Sequence, residues 1–160
     1  MAKSKEIKTN AMRILDRMKI EYSHYTYECG EFVDGIQVAD LLHLPHEKVY
    51  KTLVAQGADR EYYVFVIPVE AELDLKAAAR AVEQKSVSMI HVKDINAVTG
   101  YIRGGCTAIG MKKQYRTVID ESARELPSMI VSGGRIGSQI ELAPEDLRKA
   151  AGAEYGDVTA

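Results

Sequence analysis

The sequence predicts an α/β fold in which short strands alternate with short helices. Two strand-like runs, 49–55 and 61–67, flank the turn-forming residues 56–60 and indicate a β-hairpin. Helical segments with recognisable caps stand on both sides of this hairpin. The chain has 160 residues and no linker, repeat or low-complexity tract, so residues 1–160 are predicted to form one domain.

Three elements are predicted before the hairpin. Apolar residues recur at helical spacing over 9–19, where Thr9 or Asn10 can cap the helix. The run 22–27 is rich in aromatic and β-branched residues and is typical of a strand. A second short helix is predicted over 34–44, with an aspartate at its start and a proline just after its end.

The elements after the hairpin follow from local signals. In chain order they are a helix over 75–83 capped by Asp74, a strand over 88–92, a helical turn over 94–98, a strand over 115–119, a short helix over 121–125, strands over 128–132 and 139–142, and a last helix from Pro144 to Gly152. Proline is favoured at the first position of a helix and glycine just after its last, so the bounds of the last helix are well marked.

One lysine interrupts an apolar strand face. Alternation in the first hairpin strand places Lys51 on the same face as Val49, Leu53 and Ala55. Such a lysine either extends its ammonium past the strand edge into water or serves a site.

Composition narrows the functional classes. The chain carries 21 Lys and Arg against 23 Asp and Glu, a formal net charge of −2 and a pI near 6.1. A protein that holds nucleic acid mainly by neutralising phosphates is usually basic, so any contact with RNA is expected at a local patch or a pocket for one end. We find no membrane-length apolar run and no signal-peptide pattern, which predicts a cytoplasmic protein without a membrane partner.

Two glycine-rich segments, 99–110 and 132–137, are candidate ligand loops. Paired glycines let the backbone approach a ligand closely and direct N–H groups at an anion. Tight turns between strands are the alternative explanation. Neither segment has the spacing of a Walker A or dinucleotide-binding motif.

Three further hypotheses concern the cysteine and histidine residues. Cys106 could act as a nucleophile if His91 lay close to it in space. His43 and His46 could ligate a metal, although their spacing around a proline carries little weight. Cys29 and Cys106 are too few for a disulfide framework and are expected to be free thiols.

Taken together, the motifs resemble the YbaK/EbsC family of trans-editing aminoacyl-tRNA deacylases, which are related to the editing domain of prolyl-tRNA synthetase. The matching pieces, in the order and spacing of that family, are 25–27, 49–54, 99–105, 110–113, 117–119, 131–135, 140–142 and 144–147. The resemblance covers nearly the whole chain and is closest to the YbaK type, which clears cysteine from tRNA(Pro).

The resemblance implies a single α/β domain around a mixed, curved sheet, and a substrate that is the aminoacyl 3′ end of a tRNA. By position in the motifs, Lys51 would contact the terminal nucleotide, while Gly104 and Gly105 would present backbone groups to the ester. The substrate-binding residues implied in the same way are Tyr27, Tyr101, Ser132, Gly133 and Gly134.

The resemblance also implies that no protein nucleophile takes part, because in the YbaK type the cysteinyl thiol of the substrate attacks its own ester. No metal or cofactor is implied, and prolyl-tRNA synthetase is an expected partner. The chain departs from common family patterns at Cys106–Ala108, where relatives have Ser-Pro after the glycine pair, and at Ile136 and Gln139, where relatives have arginine and aspartate. Substrate choice therefore stays open between Cys-tRNA(Pro), Cys-tRNA(Cys) and Ala-tRNA(Pro). A non-catalytic module that binds a tRNA end or a synthetase, and a thiol hydrolase dependent on Cys106, are the alternatives.

Overall fold

The computed structural model of the protein describes residues 8–27 and 35–160. Within these ranges the strands are β1 (Ser23–Thr26), β2 (Tyr50–Gly57), β3 (Tyr62–Pro68), β4 (Val87–Met89), β5 (Arg116–Asp120), β6 (Met129–Ser132), β7 (Ser138–Leu142) and β8 (Ala153–Gly156). The α-helices are α1 (Asn10–Arg17), α2 (Gly35–Leu41), α3 (Leu75–Ala81), α4 (Ile95–Thr99) and α5 (Pro144–Ala151). Short 3-10 helices cover His46–Lys48, Val92–Asp94 and Glu121–Glu125. The predicted α/β fold is confirmed.

The strands form two sheets that meet at one point. A five-stranded mixed sheet has the order β4-β2-β3-β5-β8, and a three-stranded antiparallel sheet has the order β1-β7-β6. A single parallel bridge, Val49 to Ile130, joins them. The predicted hairpin is confirmed, since β2 and β3 pair antiparallel from Tyr50–Pro68 to Gln56–Tyr62.

Strand alternation divides the core between the two faces of the larger sheet. Val64 and Val66 belong to a cluster that includes α1 and α5. Phe65 and Ile67 point the other way and pack with residues of α3, such as Ala78. Because both faces of the sheet are covered, its central strands are continuously apolar rather than half polar.

Capping residues fix the ends of three helices as predicted. The hydroxyl of Thr9 accepts from the Met12 N–H at the start of α1, and the Asp74 carboxylate accepts from Lys76 and Ala77 at the start of α3. Gly152 ends α5 with a φ of 62°, a conformation that glycine adopts without strain.

Some predicted elements differ from the observed ones. The helix predicted over 34–44 ends at Leu41, and its predicted cap Asp34 lies outside the described residues, as does Cys29. The strand predicted over 88–92 is β4, which ends at Met89 because the chain then turns into a 3-10 helix. The segment 121–125 is a 3-10 helix. β8 has no sequence signal: it follows directly on Gly152 and is a strand because β5 offers it a parallel partner.

The most consequential feature for function is an open stretch along the edge of β2. β4 pairs with β2 at residues 55–57, the Ile90 N–H donates to the Val54 carbonyl at 3.2 Å, and the bridge to β6 lies at Val49. Hydrogen bonds from Val69 N–H to the Val49 carbonyl and from Gly57 N–H to the Glu61 carbonyl, both 2.9 Å, show that odd-numbered residues of β2 bond to β3. The N–H and carbonyl of Thr52 therefore face away from β3, into a gap between the two sheets that no described strand fills.

Candidate active site

A two-lobed cleft lies over this open edge of β2. Both lobes share a junction, which is lined by Gly35, Lys51, Thr52, Gly104 and Cys106. β2 thus supplies the floor, and the first glycine-rich loop supplies a wall. The cleft brings together residues that are more than fifty positions apart in the sequence.

The larger lobe has a volume of about 460 Å³ and mostly apolar walls. Leu53 and Val54 continue the floor, and the wall comes from the end of β4, the segment after it and α4, including Met89, Ile90 and Ile95. A cavity of this size is in the range that holds a nucleoside-sized ligand.

The smaller lobe has a volume of about 90 Å³ and a more polar lining. Val49 and Tyr50 form its floor, while Ser132 and Gln139, which are register partners on β6 and β7, form the opposite side. The side chain of Gln139 is buried and makes no hydrogen bond with any residue in the described ranges.

The Lys51 ammonium has no partner in the part of the chain that the structure describes. The residue is half-buried at the junction of the lobes, and within residues 8–27 and 35–160 its side chain forms no hydrogen bond or ion pair. A partly desolvated cation is costly unless it meets an anion, so this position favours a ligand that brings a negative or strongly polar group.

The first glycine-rich loop makes a tight turn at the junction. The Gly105 N–H donates to the Ile102 carbonyl at 2.9 Å, and Gly104 has a φ of 86°, as the third residue of a type II turn requires. The Gly105 N–H is thus already used. The N–H groups of Gly104 and Cys106 have no backbone acceptor among the described residues.

The two glycine-rich loops touch each other. A Cβ on Gly105 would lie 2.7 Å from the Cα of Arg135, a distance that side chains essentially never show. The second loop is held from its other side by α1, because the Thr9 hydroxyl donates to the Gly133 carbonyl. The two loops are therefore held against each other by backbone packing.

Tyr101 braces the first loop. Its hydroxyl donates to the Ile109 carbonyl at 2.6 Å, which ties the two ends of the loop together. Tyr27 is half-buried at the end of β1, and its N–H donates to the Gly137 carbonyl at 3.0 Å. Neither tyrosine is among the described residues that line the cleft, so their predicted contact with substrate stays a prediction, as does that of Gly133 and Gly134.

The environment of Cys106 does not suit a nucleophile. Burial raises the pKa of its thiol to about 11, and its sulfur lies 4.0 Å from the Thr99 hydroxyl. That hydroxyl donates to the Ile95 carbonyl, so it can only accept from the thiol. A pKa near 11 leaves about one thiolate in ten thousand molecules at pH 7.

Metal chemistry has no support among the described residues. No group of three or more His, Cys, Asp or Glu in residues 8–27 and 35–160 could hold an ion. The ring nitrogens of His46 face the carboxylates of Asp40 at 2.6 Å and Glu70 at 2.9 Å.

Thr52, Gln139 and the apolar wall of the larger lobe were not among the predicted site residues. Thr52 directly follows Lys51 in the strand motif, and Gln139 was noticed only as a departure from the family pattern. The wall residues carry no signal, because apolar side chains at 89–95 are equally compatible with a buried core.

The protein is thus an α/β domain with a two-lobed cleft beside the gap between its two sheets, and Lys51 and the first glycine-rich loop line that cleft. A family model, the aminoacyl-tRNA editing domain, matches residues 33–150, and the chain belongs to this family. It is also 44% identical, over 99% of its length and 98% of the relative's, to a protein of Enterococcus faecalis (strain ATCC 700802 / V583) that carries the name Cys-tRNA(Pro)/Cys-tRNA(Cys) deacylase EbsC.

Solved structures agree on the fold. A crystal structure described as a trans-editing enzyme for prolyl-tRNA synthetase superposes with a TM-score of 0.79 at 19% identity, covering 97% of this chain and 99% of that one. A hypothetical protein designated APE2540 superposes with a TM-score of 0.83 at 20% identity, covering 92% and 97%. In the described ranges, we find no helix long and apolar enough to cross a membrane.

Proposed function

We propose that this protein is an aminoacyl-tRNA deacylase that removes a misattached amino acid, with cysteine on tRNA(Pro) as the favoured substrate and Cys-tRNA(Cys) and Ala-tRNA(Pro) as the other candidates. The observation that carries this proposal is the Lys51 ammonium, which has no partner in residues 8–27 and 35–160 and lies at the junction that Gly104 and Cys106 also line. The family membership and the name of the Enterococcus relative support the same substrate class.

The proposed roles follow from the geometry. Lys51 binds the phosphate or ribose of the terminal nucleotide, and the N–H groups of Gly104 and Cys106 polarise the ester carbonyl. Ser132 and Gln139 contact the aminoacyl group in the smaller lobe.

For the two cysteinyl substrates, the chemistry needs no protein nucleophile. The thiol sulfur of the cysteinyl group bonds to its own ester carbon, the bond from that carbon to the ribose oxygen breaks, and the thiol proton ends on that oxygen. Orientation of an intramolecular nucleophile can supply about 7–11 kcal/mol of the barrier. The high pKa of Cys106 supports this route over a thiol hydrolase.

The same proposal covers the partners and the location. A net charge of −2 does not favour a strong grip on the body of a tRNA, so prolyl-tRNA synthetase is the proposed source of that grip. The proposed substrate places the activity in the cytoplasm, carried by a single domain over residues 1–160.

The test is a deacylation panel of Cys-tRNA(Pro), Ala-tRNA(Pro) and Cys-tRNA(Cys), with the wild type and Lys51→Ala. We expect turnover of at least one cysteinyl substrate and a large loss in the variant. Binding of tRNA without any turnover would select the non-catalytic module instead, and unchanged activity in Lys51→Ala would remove the role given to that lysine.

A further inference from the structure

We propose that Thr9, at the start of α1, is a positioning residue for the reaction: it holds the second glycine-rich loop and thereby orients Ser132 in the smaller lobe. This inference rests on the proposed function, because it adds a residue that acts on that site from a distance. Thr9 is not one of the described residues that line the two lobes, so any effect it has on the reaction must pass through another residue.

The Thr9 hydroxyl makes two hydrogen bonds with different consequences. Its oxygen accepts from the Met12 N–H at 3.2 Å, which caps α1. Its proton is donated to the Gly133 carbonyl, 124 positions along the chain. Both Thr9 and Gly133 are buried, so water does not readily replace this bond when the hydroxyl is removed. The second bond therefore joins the start of α1 to the second glycine-rich loop.

Thr9 also packs against the next glycine of the loop. A Cβ on Gly134 would lie 3.2 Å from the Thr9 Cβ and 3.3 Å from its hydroxyl oxygen. Gly134 has a φ of 108°, a conformation that glycine adopts without strain. The backbone at 133–134 is thus fixed by a hydrogen bond and a close contact, both from the same threonine.

Gly134 passes this constraint to the smaller lobe. Its N–H donates to the Ser132 hydroxyl oxygen at 3.2 Å, and Ser132 lines that lobe. Because the oxygen of Ser132 accepts this N–H, its proton can be directed at a bound aminoacyl group. A displaced Gly134 would turn the Ser132 hydroxyl. A misplacement of about 1 Å by a change far from the reacting atoms can cost up to about a hundredfold in rate.

The first experiment separates the hydroxyl of Thr9 from its shape. Thr9→Val keeps the branched side chain and suits the extended backbone at this residue, where φ is −77° and ψ is 168°. We expect kcat for the cysteinyl substrate to fall about tenfold with KM within about twofold, because the proposed contact with Lys51 is untouched. Thr9→Ser retains the hydroxyl and should keep kcat within about threefold of wild type. A wild-type kcat in Thr9→Val, or an equal loss in both variants, would overturn the inference.

Two further variants separate the loop contact from the helix cap. Thr9→Asp can still cap α1, but its ionised carboxylate has no proton for the Gly133 carbonyl, so kcat should fall at least as far as in Thr9→Val. Asp74→Ala removes the cap of α3, a helix that lines neither lobe, and should lower the urea midpoint with kcat unchanged. A wild-type kcat in Thr9→Asp, or a loss of kcat in Asp74→Ala equal to that in Thr9→Val, would overturn the inference, because a lost cap would then explain the effect.

A double variant tests the route through Ser132. Ser132→Ala should lower kcat about tenfold, and adding Thr9→Val should lower it by less than about twofold more, because both changes remove the same interaction. Losses that multiply in the double variant would overturn this route.

Hydrogen exchange provides a measurement that needs no turnover. We expect the Gly134 N–H to exchange about tenfold faster in Thr9→Val than in wild type, approaching its rate in Ser132→Ala, which removes the acceptor. Thr9→Ser and Asp74→Ala should leave that rate near the wild-type value. An unchanged rate in Thr9→Val would overturn the inference even in an active deacylase. Faster exchange in a protein that deacylates no aminoacyl-tRNA would reject the proposed function and still support the control of Ser132 by Thr9.

Discussion

Lys48 and Lys51 stand three positions apart and are both half-buried, yet they belong to opposite kinds of site. The Lys48 ammonium lies 2.7 Å from the Glu141 carboxylate, which also accepts from the hydroxyls of Tyr25 and Ser128. Burial opposes ionisation of Glu141, but these hydrogen bonds outweigh it and lower its pKa to about 2. The Lys51 ammonium meets no described partner.

The polar cluster around Glu141 stabilises the fold, whereas Lys51 is the residue for which we propose a ligand. The Glu141 cluster joins β1, β7, the residue before β6 and the first 3-10 helix, so its members satisfy one another. Around Lys51 no residue in the described ranges supplies an anion, and we have proposed that the substrate does so. An unmet buried charge costs stability, and it is retained where binding repays that cost.

Exchanging each lysine for methionine is the most direct test of the difference between Lys48 and Lys51. Lys51→Met should lower kcat/KM about 100-fold, equivalent to about 2.7 kcal/mol, without lowering the free energy of unfolding, because only the ligand loses a partner. Lys48→Met should lower the free energy of unfolding by about 1–2 kcal/mol, after allowance for solvent screening, and leave kcat/KM near the wild-type value. Urea unfolding and deacylation kinetics on the same preparations measure both.

The pH dependence of Lys48→Met checks its cause. Glu141 has a folded pKa of about 2 against an ordinary 4.5, so its stabilising contribution is full above pH 4.5 and is lost as the pH falls toward 2. The stability difference between Lys48→Met and wild type should shrink in that window. A difference that stays constant with pH would mean that packing, and not charge, holds Lys48.

In the cleft, Gly105→Ala tests whether the contact between the two glycine-rich loops maintains the junction of the two lobes. The new methyl group would meet the Arg135 backbone at 2.7 Å, so the two loops must separate. We expect kcat/KM to fall about tenfold and stability by about 1–3 kcal/mol. Gly100→Ala is the control: its φ of 88° strains alanine, but the nearest atoms belong to the flexible Lys112 side chain. It should cost about 1 kcal/mol of stability with activity retained; an equal loss of activity in both variants would count against the loop contact.

His46, whose ring bonds to two carboxylates, is expected to give a smaller effect that depends on pH. Hydrogen bonds to Glu70 and Asp40 raise the His46 pKa to about 8, so the protonated ring favours the folded state. Its stabilisation is full below the ordinary pKa of 6.5 and is lost as the pH rises through about 8. The advantage of wild type over His46→Gln in urea unfolding should therefore be larger at pH 6 than at pH 9, and the reverse order would contradict the ion pairs.

The smallest effect is expected at Cys106. If the thiol is only a small apolar group at the junction, Cys106→Ala should keep kcat/KM within about threefold of wild type. Iodoacetamide should inhibit little at neutral pH, because few molecules carry a thiolate. A loss of a hundredfold in Cys106→Ser would restore the thiol hydrolase hypothesis.

Local signals accounted for the elements but not for the gap between the sheets. Caps at Thr9 and Asp74 and the turn at 56–60 act over a few residues, so they can be read from neighbouring positions. β8 became a strand only because β5 lay beside it. The gap over Thr52 exists because β4 is too short to continue along β2, and that depends on where the chain turns after Met89.

Three features could be predicted from the sequence because they depend on spacing along the chain. They are the α/β class, the alternation that puts Lys51 on an apolar strand face, and the two glycine-rich loops. Three properties came from tertiary packing: the Gly105 N–H is used in a turn, Lys48 is paired while Lys51 has no partner among the described residues, and the cleft has two unequal lobes. Those properties depend on which distant backbone and side-chain atoms meet, and pairing across long sequence separations is set by the packing of the whole chain.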